Sequence, residues 1–523
     1  MGSVISSLVG AVKGVKAVVA VIREIASDYK DLFARANHTP GLPVPNPTTA
    51  FWQDDPPFPE LVNIQSEVLP ETADIVIVGS GIAAAAIART ILHECQRMGQ
   101  TRRVVVCEAR TLCSGATGRN GGHIKASPHE VFSRHRKLMQ PERAAALSRF
   151  QLRHLETLVS LCDAEKIHVA ECREVETVDL FLDEETFDQA VKEAKETSKW
   201  IPEFKTSVWT SSAAQWKFAV NDQVKGAISY KAGALWPYRL VTSIWKQLLD
   251  GFPKSLSIET DTAVEEIDVS GTPSDFPYLI STSRGVIRAN HVVHATNAFA
   301  PHLVQGLKGK TVGVRAQMSS QRPGRDFPDL NGQRSWSIMY GSGFDYVTQR
   351  PAVDGVPGHV MLGGGFVQSP KHGLDAVGVY DDSKMDSLTN AHNLGIMPSI
   401  FEPNWGPPVD SGTRKVWSGV IGVSADLRPL VGKLDSRLTG RMVKGTGRNT
   451  GEWIAAAFIG DGMVWAWLSG TALGVMIMGS QDEQLAAVPG RPGGKLEEWF
   501  PAELLPTYDR VKKMDIGDLA NVL

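Results

Sequence analysis

Ala73-Asp74-Ile75-Val76-Ile77-Val78-Gly79-Ser80-Gly81-Ile82-Ala83-Ala84 opens the stretch that decides the fold, and Val104-Val105-Val106-Cys107-Glu108 closes it. Two short apolar runs flank a glycine turn and a helix-like segment, which reads as strand, turn, helix, strand. Gly79 permits a tight turn, Gly81 lets the backbone approach a pyrophosphate, and small Ala84 lets the helix pack close to the strand. The helix start offers unpaired N–H groups and a positive dipole end to phosphate. An acid ends the second strand, where a ribose hydroxyl would be held. Glu108 lies 29 residues after Gly79, more than the roughly 20 usual for the motif. A longer helix through Arg97 and a turn over 98–102 absorb the excess. The expectation is a dinucleotide site.

A second glycine-rich loop follows soon after the acid: Gly115-Ala116-Thr117-Gly118-Arg119-Asn120-Gly121-Gly122-His123-Ile124. A unit that binds NAD has no need of it. Further along come His294-Ala295-Thr296-Asn297-Ala298-Phe299 after an apolar strand, and Trp417-Ser418-Gly419 with Asp426, Pro429 and Gly432 behind it. Phe458-Ile459-Gly460-Asp461-Gly462-Met463 and Ser469-Gly470 complete the set. These stretches, in this order over roughly 70–480, resemble the D-amino-acid-oxidase-like superfamily of FAD enzymes, most closely its glutamylputrescine oxidoreductase branch. The likeness is specific at the FAD motifs and loose between them.

The resemblance implies an α/β fold in which a Rossmann-like FAD-binding domain is interleaved with a mixed-sheet substrate domain. The FAD-binding parts would be 70–140, 230–305 and 416–480, and the substrate domain 141–229 and 306–415. An N-terminal helix and Pro-rich strap would occupy 1–69, and a tail 481–523. The implied FAD contacts are Gly79, Ser80, Gly81, Ile82, Ala83, Ala84, Glu108, Ala109 and Arg110 on the dinucleotide unit. Ala116, Thr117, Arg119, Asn120, Gly121, Gly122 and His123 would come from the second loop. Val264 would lie at the adenine, with Ala295, Thr296, Asn297, Gly460, Asp461, Gly462 and Met463 completing the site. Gly419 holds the place of the superfamily's linking cysteine, and no histidine aligns with its other linkage, so non-covalent FAD is expected. His123 would line the pocket.

Arg315 and Gln317 sit where relatives carry an Arg/Gln pair beside the flavin. Tyr346 is a candidate to close the pocket over the ring, and Asp461 replaces the histidine of a common Gly-His-Gly. A carboxylate there disfavours negative charge on reduced flavin and argues against fast reoxidation by oxygen. The oxygen-activating lysine of sarcosine-type oxidases has no counterpart between Arg315 and Tyr340. Arg315, Tyr346 and Asp461 are the catalytic candidates, with no base assigned. The implied reaction oxidises a C–N bond of an amine or amino-acid-like small molecule by hydride transfer to flavin N5, with imine hydrolysis and reoxidation by oxygen or another acceptor. Two other readings stay open: a flavoenzyme tailoring a secondary metabolite by desaturation or cyclisation, and a flavin-bearing interaction protein.

Composition agrees. The chain has 523 residues, 42% hydrophobic and 21% charged, with net charge −3, so there is ample core and no electrostatic footprint for nucleic acid. The five cysteines, Cys95, Cys107, Cys113, Cys162 and Cys172, show no CxxC spacing, and no histidine pair has a metal-ligand pattern. Reduced thiols, no metal and a cytoplasmic location are expected. At the N-terminus, Val4, Leu8, Val12, Val15, Val18, Val19, Ile22, Ile25 and Tyr29 recur at helical steps, with Lys13, Lys16, Arg23, Glu24 and Asp31 opposite. This predicts an amphipathic helix. Its apolar run is too short and too charged for a membrane span. Met1-Gly2-Ser3-Val4-Ile5-Ser6 matches a myristoylation pattern, but docking on its own protein or in a homo-oligomer is favoured over membrane contact.

Between the motifs, 142–161, 184–197 and 239–249 read as helices. Strands are expected at 178–182, 264–267, 312–317 and 360–364, and the resemblance implies that at 232–237 the chain returns to the FAD domain. Residues 40–59 read as an extended strap, and the chain after Gly479 as a surface appendage.

Overall fold

The computed structural model describes residues 29–521 except 273, 342, 410–411 and 444–449. Its strands form two sheets. The first runs in the order Leu430–Lys433, Gly451–Ala456, Gly285–His294, Thr72–Val78, Val104–Cys107, Leu256–Glu259. Along this path all neighbours are parallel except the edge strand Leu430–Lys433, and Tyr278–Thr282 and Val264–Val269 add an antiparallel pair beside Gly285–His294. The valine runs are buried from end to end, as expected of strands covered on both faces. Val78 pairs with both Cys107 and His294. Gly79, Glu108 and Ala295 therefore leave three neighbouring strands side by side at the carboxyl edge, where such sheets bind ligands.

The helix Ile82–Arg97 begins on the glycine turn and buries Ile82 through Leu92. It lies against the helix Ala466–Met478. An ideal Cβ on Gly470 would stand 2.5 Å from the Ala83 carbonyl oxygen, and one on Gly474 2.6 Å from Thr90 Cβ. Two glycines four residues apart thus allow the helix backbones to meet.

The second sheet runs Thr413–Ser424, Thr311–Gln321, Val360–Gly363, Gly343–Gln349, Arg334–Tyr340, Arg173–Phe181, Gly226–Ala234, His123–Ile124. Only Arg334–Tyr340 and Arg173–Phe181 pair in parallel. Trp417, Ser418 and Gly419 belong to this sheet, paired with Met318, Gln317 and Ala316. The expected return to the first sheet at 416 is thus corrected to a point after Ser424. Likewise 232–234 still belong to the second sheet, and the crossing follows at the helix Pro237–Gly251. The predicted helices are found at Pro141–Ala164 and Glu184–Trp200.

The chain ends require a further correction. Leu485, Leu496, Trp499, Phe500 and Leu504 belong to the main hydrophobic core, and Val511, Met514 and Ile516 to a neighbouring cluster. The stretch after Gly479 is therefore core rather than a surface appendage. Its apolar residues are spaced irregularly among Pro and Gly, so no period announced them. The amphipathic helix expected over the first residues lies outside the described residues up to position 28. Residues 29–36 are helical, with Tyr29 and Phe33 exposed and Ala36 buried. The strap contains two short 3-10 turns, and Trp52 in the first is fully buried. No helix among the described residues is long and apolar enough to cross a membrane. All five cysteines are free, and the described residues contain no group of acidic, His and Cys side chains able to hold a metal.

Candidate active site

The glycine turn is built for close approach. Gly79 takes φ +102°, and a Cβ there would stand 2.7 Å from the Ala295 carbonyl oxygen. On Gly81 it would meet Thr117 Oγ1 at 2.9 Å. Thr117 Oγ1 accepts the Ile82 N–H (3.0 Å), and the Ala85 N–H already bonds the Gly81 carbonyl. The N–H groups of Ala83 and Ala84 remain, as the first turn of a helix requires, for an anion.

Glu108 accepts the Ser80 backbone N–H (3.1 Å), the Ser80 hydroxyl (2.6 Å) and the Arg110 N–H (3.1 Å). These bonds hold its carboxylate at the mouth of the turn, next to Ala109. Its own carbonyl accepts the Thr262 N–H, which brings Val264, buried at a strand start, to the same edge. Thr296 Oγ1 is buried without a partner beside this turn. A helix start with free N–H groups, an enforced glycine, an acid at the strand end and an orphaned hydroxyl together fit the pyrophosphate and ribose of a dinucleotide.

The second loop is held from within. Asn120 donates through Nδ2 to the carbonyls of Ala116 and Thr117, and its Oδ1 accepts the Gly122 N–H (2.7 Å). Trp52 Nε1 donates to the Asn120 carbonyl and Trp417 Nε1 to that of Arg119. The guanidinium groups of Arg110 and Arg119 are both engaged by the buried carboxylate of Asp382, at 3.0 and 3.4 Å. Burial, opposed by Asp382, brings Arg119 down to about 10. Both guanidinium groups also donate to the Ser114 carbonyl just before the loop, at 2.8 Å from Arg119 and 3.4 Å from Arg110. A Cβ on Gly419 would lie 3.2 Å from Arg119 Cβ, so residue 419 does face the second loop, and as glycine it offers nothing to bond.

Tyr346 is seated across Gly121, where any Cβ would collide with its ring, and its hydroxyl meets Met318 Sδ at 3.0 Å. Burial raises the phenol to about 12. Thr348, two residues on, donates to the Gly121 carbonyl (2.8 Å). This face of the second sheet therefore looks at the glycine loop. Arg315 and Gln317 alternate with Ala316 and Met318 along their strand and point to the other face. Gln317 Oε1 there accepts the Asp386 N–H (2.9 Å). The structure thus brings Tyr346 and Asp461 to the loop, and does not bring the side chains of Arg315 and Gln317 with them.

His123 Nε2 lies 2.9 Å from Ser335 Oγ, and burial, with Lys125 nearby, lowers its imidazole well below the usual range. It is uncharged at neutral pH. The strand His123–Ile124 lies against the turn Gly462–Val464, where Met463 is buried and the preceding Gly460 takes φ +85°. Asp461, just before that turn, pairs through Oδ2 with Arg134 at 3.1 Å. Desolvation raises its carboxyl, although Arg134 opposes the shift.

The sequence reading missed several polar groups on this face. Lys125 Nζ is 2.5 Å from Asp179 Oδ1 and bonds Ser337 Oγ. Tyr230 donates to Asp179 Oδ2 at 2.8 Å, and His129 Nδ1 stands 3.6 Å away. Lys125 follows His123 by two, the strand period, and that alternation was the signal available.

A family model described as FAD dependent oxidoreductase matches residues 74–474. The chain belongs to that family: it is an FAD-dependent oxidoreductase. Among solved structures it is similar to glycine oxidase from Geobacillus kaustophilus, with TM-score 0.60 and 16% identity over 84% of this chain and 99% of that one. L-amino acid deaminase from Proteus myxofaciens, in complex with anthranilate, gives 0.59 and 16% over 91% and 100%. Iminodiacetate oxidase from Chelativorans sp. BNC1 gives 0.56 and 16% over 81% and 98%. At these identities the likeness is one of fold. No curated protein sequence matches the chain significantly.

Proposed function

We propose that the protein oxidises a C–N bond of a small amine or amino-acid-like substrate. The observation that carries this reading is the placement of Tyr346, His123 and Asp461 together beside the second glycine loop, in a chain of the FAD dependent oxidoreductase family. The three solved relatives named above bear the names of enzymes that act on amino acids or on iminodiacetate. Gly79, Gly81, Ala83, Ala84 and Glu108 would hold the pyrophosphate and ribose of FAD. The loop 116–123 and residues 460–463 would hold its ring.

When bound, FAD would supply the two-electron acceptor for the hydride on the carbon beside the amine nitrogen. The residues around it do modest work. Tyr346 closes one side and excludes water. His123, held neutral, adds no charge beside a substrate that must lose a proton from its ammonium. Asp461 lies where such a proton or cation can be received. The imine product then hydrolyses to a carbonyl compound and an amine or ammonia. FAD is expected to be non-covalent, and oxygen or another small acceptor to reoxidise it.

The test is anaerobic mixing of the FAD-loaded protein with a panel of amines and amino acids. Bleaching of the visible flavin band by members of either class is the expected result, and a panel without effect would overturn the reading.

A further inference from the structure

The charges around this site are unevenly matched. Lys125 is bonded to Asp179, and Arg134 to Asp461 and, at 3.5 Å, to Glu130. Two fixed cations, with His129 3.6 Å from Asp179 and 3.9 Å from Glu130, thus face three carboxylates, and the neutral His123 adds none. Arg119 and Arg110, behind the glycine loop, share Asp382, and Arg315 is on the far face of its strand. Among the described residues, no lysine or arginine on this face is left to receive a substrate carboxylate, and a buried carboxylate without such a partner is costly.

The two central carboxylates also differ in access. Asp179 has no exposed surface and is already held by Lys125 and Tyr230. Asp461 keeps 40% of its side chain exposed and uses Oδ2 for Arg134, so its other oxygen remains for a further donor.

We propose that the site accepts a cationic amine lacking a carboxylate, and that Asp461 discriminates for it by holding its ammonium group. A diamine meets both demands: one nitrogen is neutral and reacts, while the other stays charged at Asp461. This inference rests on the C–N reading above and narrows it. An amino acid would bring its carboxylate toward Asp461 and Glu130, where like charges repel.

The experiment is anaerobic stopped-flow reduction of the FAD-loaded protein by 1,5-diaminopentane, benzylamine, glycine and N-methylglycine. Wild type, Asp461→Asn and Asp461→Glu are compared, with flavin content measured for each. The diamine should half-saturate reduction at the lowest concentration. Asp461→Asn should raise that concentration about tenfold, the scale of one charge-assisted contact. Asp461→Glu should restore it, which a merely structural role would not produce. Better reduction by the amino acids than by the diamine, or an unchanged half-saturation in Asp461→Asn, would overturn the proposal while leaving C–N oxidation standing. Reduction by none of the four would remove both. If Asp461→Asn loses its flavin, the wild-type ranking of diamine against amino acids decides alone.

Discussion

Gly79 shows how one residue can commit a site. Its φ of +102° and the carbonyl of Ala295 at 2.7 Å from any Cβ leave no room for a side chain. Gly79→Ala should therefore lose FAD while the rest of the chain still folds, read as the ratio of flavin to protein absorbance after purification. A variant that keeps full flavin content would contradict the cradle described above. Glu108→Ala removes the carboxylate proposed to accept the ribose hydroxyls, a charge-assisted bond of about 1.5–3 kcal/mol, and should weaken FAD binding roughly ten- to a hundredfold by titration of the apoprotein. Both residues were legible in the sequence because glycine spacing and a strand-ending acid are local signals. Lys125 and Asp179 were not, because 54 positions separate them and only sheet register brings them together. Arg315 misled for a related reason: whether it reaches the flavin depends on which face of a strand it occupies, and neighbouring residues decide that only once paired.

At the scale of elements, the two helices Ile82–Arg97 and Ala466–Met478 are in register through Gly470 and Gly474. Gly470→Val would wedge them apart at the Ala83 carbonyl and should cost about 1–3 kcal/mol, the usual range for overpacking, seen as a lower Tm. An unchanged Tm would mean the helices separate more easily than the contact implies. Strand Gly451–Ala456 is tied by another device. Glu452 Oε2 meets His294 Nε2 at 3.0 Å and Arg441 at 2.7 Å. Burial alone would raise this carboxyl, but the Arg441 and His294 bonds outweigh it and hold it at about 2. A depressed folded value adds stability above the ordinary carboxylate range of about 4.5, lost as pH falls toward 2. Wild type should thus lose stability faster than Glu452→Gln across that window in acid denaturation, and parallel curves would show the pair to be uncoupled from folding. The strands and long helices were predictable from period. The segment after Gly479 was not, because its buried Trp499, Phe500 and Leu504 follow no period and earn their burial only from the core they meet.

For the whole molecule, the core does not end where the recognisable motifs end. Deleting 481–523 would remove Leu485, Leu496, Trp499, Phe500 and Leu504 from the main core and uncover the apolar surface they pack against, each such side chain being worth about 1.5–3 kcal/mol when buried. That sum rivals the 5–15 kcal/mol of a typical fold, so the truncated chain should be insoluble on expression. The reach of the second sheet to the glycine loop likewise bears on how FAD is held. Gly419 faces Arg119 without a side chain, and burial, together with Glu108, raises the Cys113 thiol far above its usual range, which makes it inert. Acid precipitation should accordingly release all the FAD into the supernatant, and flavin fluorescence that remained with the denatured chain would disprove this. The central claim is oxidation of a C–N bond, and its most direct measurement is a single anaerobic turnover with product analysis. One equivalent of carbonyl compound should be released for each FAD reduced. Flavin reduced without any carbonyl product would contradict the account and favour a desaturation or ring closure in its place.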